Sequence, residues 1–163
     1  MIAIVFGLPG SGKSFFAKQF AAHINAEHVS SDMLRKEMLK AITYSDNEKQ
    51  SVYNEMLKRI KDLMKHNKNA VVDATFNREK FRKQFMHEVP ESIFIEVKAD
   101  ETVVKKRLQR KRTDSEADFE VYKKIKDDWE PMLEDHLILQ STDNNIEGML
   151  RQASKCILLN DDK

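Results

Sequence analysis

The chain has 163 residues, 40% of them apolar and 34% charged, with 28 basic side chains against 27 acidic ones and a formal net charge of +1. That length suits one domain with a sizeable core, the composition excludes a disordered chain, and the balanced charge gives no overall field to gather nucleic acid. One cysteine, Cys156, excludes an intramolecular disulfide and argues against a disulfide-linked partner, and no Cys/His cluster has zinc spacing. We expect neither a signal peptide nor a membrane span, because Met1–Phe6 lacks a basic leader and no eighteen apolar residues run together. A cytoplasmic setting is the default expectation.

In chain order, Met1–Phe6 is a short apolar run ended by Gly7, the profile of a strand buried on both faces of a parallel sheet. Ser14–Ile24 spaces Phe15, Phe16, Phe20, Ala21 and Ile24 as a helix. A short extended piece at Glu27–Ser30 leads to Asp32, and Met33, Leu34, Met38, Leu39 and Ile42 suit a second helix. A longer one is expected from about Asp46 to His66. Asn69–Ala74 and Ser92–Val97 read as central strands separated by helical sequence. Asp100 is placed to cap a helix carrying Val103, Val104 and Leu108, which runs into the basic stretch Lys105–Arg112. A further helix is expected over Ala117–Trp129 ahead of Pro131, then a strand at Leu137–Leu139 and a closing helix at Ile146–Leu158. Alternating strands and helices predict an α/β three-layer sandwich with a mainly parallel sheet, in one domain over residues 1–163.

Gly7-Leu8-Pro9-Gly10-Ser11-Gly12-Lys13-Ser14 fits G-x-x-x-x-G-K-[ST] between a strand and a helix, the Walker A arrangement. Glycines let backbone N–H groups approach a phosphate closely, and the helix start adds its positive end. Lys13, expected to be exposed at the loop-to-helix start, would reach the β- and γ-phosphates of ATP, and the Ser14 hydroxyl would ligate Mg2+. The spacing of Gly7, Gly10 and Gly12 excludes the G-x-G-x-x-G dinucleotide fingerprint.

Asp32 follows the second strand with Arg35 three residues on, so a helix starting here puts both on one side. The carboxylate suits a general base and the guanidinium a grip on phosphate; the competing reading is a capping aspartate beside a solvated arginine. Asp73 ends a strand at the carboxyl edge, where it can serve as the Walker B acid for the metal or as an Asx cap for the next helix. Within Lys105–Arg112, which precedes a polar hinge candidate at Thr113–Ala117, Arg110 is the first and Arg107 the second candidate for a mobile arginine over the transferring phosphate. Some of that basic run is expected only to solvate a helix end.

GLPGSGKS at 7–14, SSDMLR at 30–35, VVDATFN at 71–77 and RLQRKR at 107–112, followed by a helix ending in WEP at 129–131, resemble the small P-loop kinases (AAA_33-like). That family includes gluconate kinase, zeta-toxin-like kinases and the kinase domain of phage polynucleotide 5′-kinase, the nearest likeness. The resemblance implies a five-stranded parallel P-loop NTPase sheet in nucleoside-monophosphate-kinase order, with a lid at about 107–118. It further implies Asp32 as general base, Arg35 on the acceptor's phosphate, and Lys13 with a lid arginine on the transferring group. Arg107 or a neighbour would lie against the adenine, and Arg110, Lys111 and Arg112 compete for one role. Three functions stay open: ATP-dependent phosphorylation of a hydroxyl on a small molecule or nucleotide, a polynucleotide 5′-hydroxyl kinase, and a non-catalytic nucleotide switch. Asp32-x-x-Arg35 and the basic segments Arg78–Lys83 and Lys105–Arg112 favour the second, and the switch would leave Asp32 and the lid without work.

Overall fold

The computed structural model describes residues 1–110 and 119–161. The elements are β1 Ile2–Phe6, α1 Lys13–His23, β2 Glu27–Ser30, α2 Ser31–Met38, α3 Asp46–Lys65, β3 Ala70–Ala74, α4 Glu79–Glu88, β4 Ile93–Lys98, α5 Glu101–Gln109, α6 Phe119–Asp127, β5 Leu137–Gln140 and α7 Ile146–Asp161. The five strands pair in parallel in the order β2-β3-β1-β4-β5, as expected of a doubly covered α/β sheet. The order reverses beside β1, so the segments leaving β1 and β3 share one end of the sheet, where ligands gather in open α/β folds.

Strand alternation sorts the core into two layers. Ile2, Ile4 and Phe6 of β1 pack with Val52, Met56 and Ile60 of α3 and with Phe81 and Phe85 of α4. Ala3 and Val5 face the other way, onto Phe16 and Phe20 of α1 and Met149, Ala153 and Ile157 of α7. Every residue of β1 and β3 is buried, Asp73 included.

The differences from the sequence expectation include two helix ends and one cap. The second helix stops at Met38, with Leu39 already extended, instead of reaching Ile42. The carboxylate of Glu48 accepts from the N–H of Thr43 at 2.6 Å, its hydroxyl at 2.8 Å and the N–H of Tyr44 at 3.1 Å, taking donors that a continuing helix would need. Tyr44 turns through φ 54, and Ser45 then caps α3 by accepting from the Glu48 N–H at 3.2 Å. Asp100 does occupy the N-cap of α5 but makes no capping bond, because its carboxylate accepts from Gln140 at 3.2 Å. Trp129 lies beyond α6 and stacks on Phe6, with ring centroids 6.2 Å apart.

Candidate active site

The loop from β1 to α1 is shaped by what its glycines avoid. A Cβ on Gly7 would sit 2.4 Å from the Val97 carbonyl oxygen, and one on Gly12, at φ 89, would sit 2.8 Å from Ser141 Oγ. The N-cap of α1 is Gly12, which has no side chain to cap the first-turn amides, and Ser11 Oγ is buried without a hydrogen-bond partner among the described residues. Lys13 opens the helix and is only 9% exposed, correcting the expectation of an exposed lysine. It belongs to the wall of the site.

Ser14 donates its hydroxyl proton to Asp73 Oδ1 at 2.9 Å, which brings the end of β3 against the end of the loop. The other Asp73 oxygen contacts His28 Nε2 on β2. Asp73 therefore looks into the site, and its side chain makes no bond that would cap α4, whose first N–H, on Glu79, instead reaches Glu130 at 2.6 Å. The Asx-cap alternative is not the one seen.

Asp32 is likewise released from capping, because Ser30 is the N-cap of α2 and accepts from the Met33 N–H at 3.5 Å. Its carboxylate is 28% exposed and accepts from Arg35 Nη1 at 3.0 Å. Burial pushes its pKa above the usual carboxylate value, aided by Asp73, while Lys13, Arg35 and Lys36 oppose that rise. Arg35 is buried, and its Nε lies 3.0 Å from Glu48 Oε1, an ion-pair contact without hydrogen-bond alignment. Tyr44 covers the guanidinium at 4.8 Å. Two carboxylates thus balance the charge that was expected to hold an acceptor's phosphate. Burial pulls Glu48 upward, but the Thr43 and Tyr44 donors and Arg35 outweigh it and hold it below the usual range.

Arg107 donates through Nη1 to the Gly10 carbonyl at 3.2 Å and through Nη2 to Ser141 Oγ at 3.1 Å and the Thr142 carbonyl at 2.9 Å. It bolts α5 to the phosphate loop and to the segment after β5. Arg110 follows the last turn of α5 in extended conformation and is exposed, and Lys111, Arg112 and the hinge candidate Thr113–Ala117 lie outside the described residues.

The segment 78–83 does not form a free basic stripe. Arg78 pairs with Glu130, Lys80 with Asp46 and Lys83 with Glu79. Arg82 is buried and donates to the carbonyls of Phe76 and Glu130 at 2.6 Å each and of Pro131 at 3.2 Å. Sequence reasoning missed Arg82, His28 and Glu48. For Arg82 a signal existed, since it sits one residue after Phe81 and three before Phe85 and so shares their inward face. For Glu48 the S-x-x-E spacing from Ser45 was the signal, whereas His28 has none beyond strand parity.

Known proteins agree with this geometry at the level of fold. A gluconokinase from Sinorhizobium meliloti 1021 superposes with a TM-score of 0.77 at 16% identity, covering 98% of this chain and 93% of that one. The Mycobacterium tuberculosis APS kinase CysC, in complex with AMPPNP and APS, gives 0.73 at 14% identity with 96% of both chains covered. In the Pnkp1/Rnl/Hen1 RNA repair complex, a match of 0.65 at 22% identity covers 78% of this chain and 43% of that chain. No curated protein sequence matches. Among the described residues no helix is long and apolar enough to cross a membrane. A parallel five-stranded α/β sheet, a glycine loop whose Ser14 is hydrogen-bonded to Asp73 of β3, and a match over residues 2–132 to the family AAA_33, described as an AAA domain, converge: the chain belongs to that family, with a P-loop kinase-like fold.

Proposed function

We propose that the chain is an ATP-dependent phosphotransferase that moves the γ-phosphoryl group of ATP onto an alcohol of a small molecule or nucleotide. The observation that carries this reading is Asp32: a partly exposed carboxylate at the mouth of the phosphate loop, excused from capping by Ser30 and close enough to Lys13 to feel its charge. A nucleotide switch has no use for such a group.

In this reading the amides of Gly7–Ser14 and the α1 N-terminus hold the phosphates, and Lys13 balances charge on the transferring group. The acceptor oxygen attacks the γ-phosphorus and the bond from that phosphorus to the bridging oxygen breaks. ADP leaves, and the acceptor's proton passes to Asp32. Ser14 and Asp73 offer two hard oxygens 2.9 Å apart, which fits Mg2+, and among the described residues no cluster of three or more potential ligands provides a complete protein cage. Bound there, Mg2+ would neutralise phosphate charge. Arg110, at the end of α5, would add positive charge over the transferring group, and Arg107 would hold the loop against which the nucleotide lies. Residues 1–163 act as one unit; of the lid expected at about 107–118, residues 111–118 lie outside the described residues.

The polynucleotide 5′-hydroxyl alternative loses much of its support with the internal pairing of residues 78–83. Labelled ATP offered with 5′-hydroxyl oligonucleotides, nucleosides, sugars and sugar acids tests both readings. Label in one small-acceptor class, absent with Lys13→Ala, is expected. Label on oligonucleotides alone would transfer the assignment, and none on any acceptor would refute both.

A further inference from the structure

We infer that Glu48 is a positioning residue for Asp32, acting through Arg35. The inference rests on the reading of Asp32 as general base and adds a second carboxylate, on a different element, whose work is to aim the first.

The geometry is a relay of alternating charge. Asp32 Oδ1 takes a hydrogen bond from Arg35 Nη1 at 3.0 Å, and Arg35 Nε faces Glu48 Oε1 at 3.0 Å. One nitrogen of the planar guanidinium is hydrogen-bonded to Asp32 and another lies against the Glu48 carboxylate, so its charge is matched on two sides. Arg35 and Glu48 are buried to 5% and 6% side-chain exposure while Asp32 remains 28% exposed, which places the reactive end at the solvent side and the anchor inside. Glu48 is itself held, accepting from Thr43 twice and from Tyr44 once. It thereby pins the loop between α2 and α3 and presents Tyr44 over the guanidinium.

Why a second carboxylate is needed follows from charge. With Glu48 absent, Arg35 would carry an unbalanced buried cation whose nearest relief is Asp32, and a fully committed bidentate pair would turn Asp32 away from an incoming hydroxyl. With Glu48 present the arginine is shared, one nitrogen to each partner, and its contact with Asp32 is through Oδ1. The groups that face Asp32 are Lys13 on α1, Lys36 and Arg35 on α2, and Asp73 on β3. Of these, Arg35 reaches α3, through its contact with Glu48.

A double-mutant cycle on the full chain tests the inference: kcat, the KM for ATP and thermal unfolding of wild type, Glu48→Gln, Asp32→Asn and the double variant, on the acceptor labelled most strongly. Glu48→Gln should lower kcat by about tenfold with the ATP KM changed by less than about twofold, and should have little further effect once Asp32 is asparagine. A merely structural Glu48 would lower kcat by the same factor in both backgrounds, and that additive outcome overturns the inference while leaving Asp32 as base. An Asp32→Asn enzyme as active as wild type would instead overturn the base assignment, and the inference with it. Should Glu48→Gln fail to fold, Arg35→Lys goes through the same cycle with the same expected non-additivity, because lysine keeps the charge but cannot span both carboxylates.

Discussion

Replacing Arg107 with alanine separates two accounts of the same residue. As a group lying against adenine it would affect nucleotide binding and leave the free protein's stability alone. The structure gives it a different duty, with hydrogen bonds at 3.2, 3.1 and 2.9 Å to Gly10, Ser141 and Thr142, an ion pair to Asp143 at 3.6 Å, and a side chain only 13% exposed. A hydrogen bond from a charged donor contributes about 1.5–3 kcal/mol, but truncating the side chain would open its acceptors to water, so the whole set is worth about 2 kcal/mol. For a chain of this size that corresponds to a fall in Tm of roughly 4–8 °C. Thermal unfolding of the nucleotide-free protein measures it directly. Because Gly10 and Gly12 lose the group that fixes them, nucleotide affinity should also drop. Arg107→Ala with an unchanged Tm would refute the tether, whatever its effect on ATP.

Other consequences follow from the same contacts. Ser14→Ala should raise the Mg2+ concentration needed for half-maximal turnover while leaving metal-free nucleotide affinity near wild type, and an identical Mg2+ titration would count against the Ser14–Asp73 pair as the metal site. Asp32 has a folded pKa above its unfolded value, so the stability it contributes is present at low pH, where it is protonated, and is lost as pH rises through the folded pKa. At neutral pH Asp32→Asn should therefore unfold at a slightly higher temperature than wild type, with the gap closing on acidification. A less stable Asp32→Asn protein at pH 7 would mean that the Arg35 pair outweighs burial. The acid limb of kcat should likewise lie above the ordinary carboxylate range.

Much of this was legible in the chain because the signals are local. The Walker A spacing needs only eight consecutive residues, and β1, β3 and β4 announce themselves as short apolar runs ending in glycine or polar groups. What stayed hidden depends on contacts far apart in sequence. Ser30, Ser31 and Asp32 present adjacent capping candidates, and only the register of Ser30 beside Asp73 decides that serine caps and aspartate stays free. Glu48 reads as an ordinary first-turn glutamate of a surface helix until the loop at 39–45 wraps over it. His28 meets Asp73, 45 positions further along the chain. The segment Arg78–Lys83 has the composition of a phosphate-binding stripe, yet one of its members turns inward and the others find carboxylates from α3, α4 and the Trp129–Pro131 turn.

The central claim is that Asp32 accepts the proton of an attacking hydroxyl, and the kcat of Asp32→Asn on the best acceptor tests it most directly. Asparagine preserves shape and could serve a cap equally well, so a structural role predicts activity close to wild type. The account predicts kcat lower by roughly a hundredfold or more, with ATP affinity unchanged, because the lost interaction develops only as the oxygen attacks. An Asp32→Asn enzyme that turns over within about twofold of wild type would contradict it.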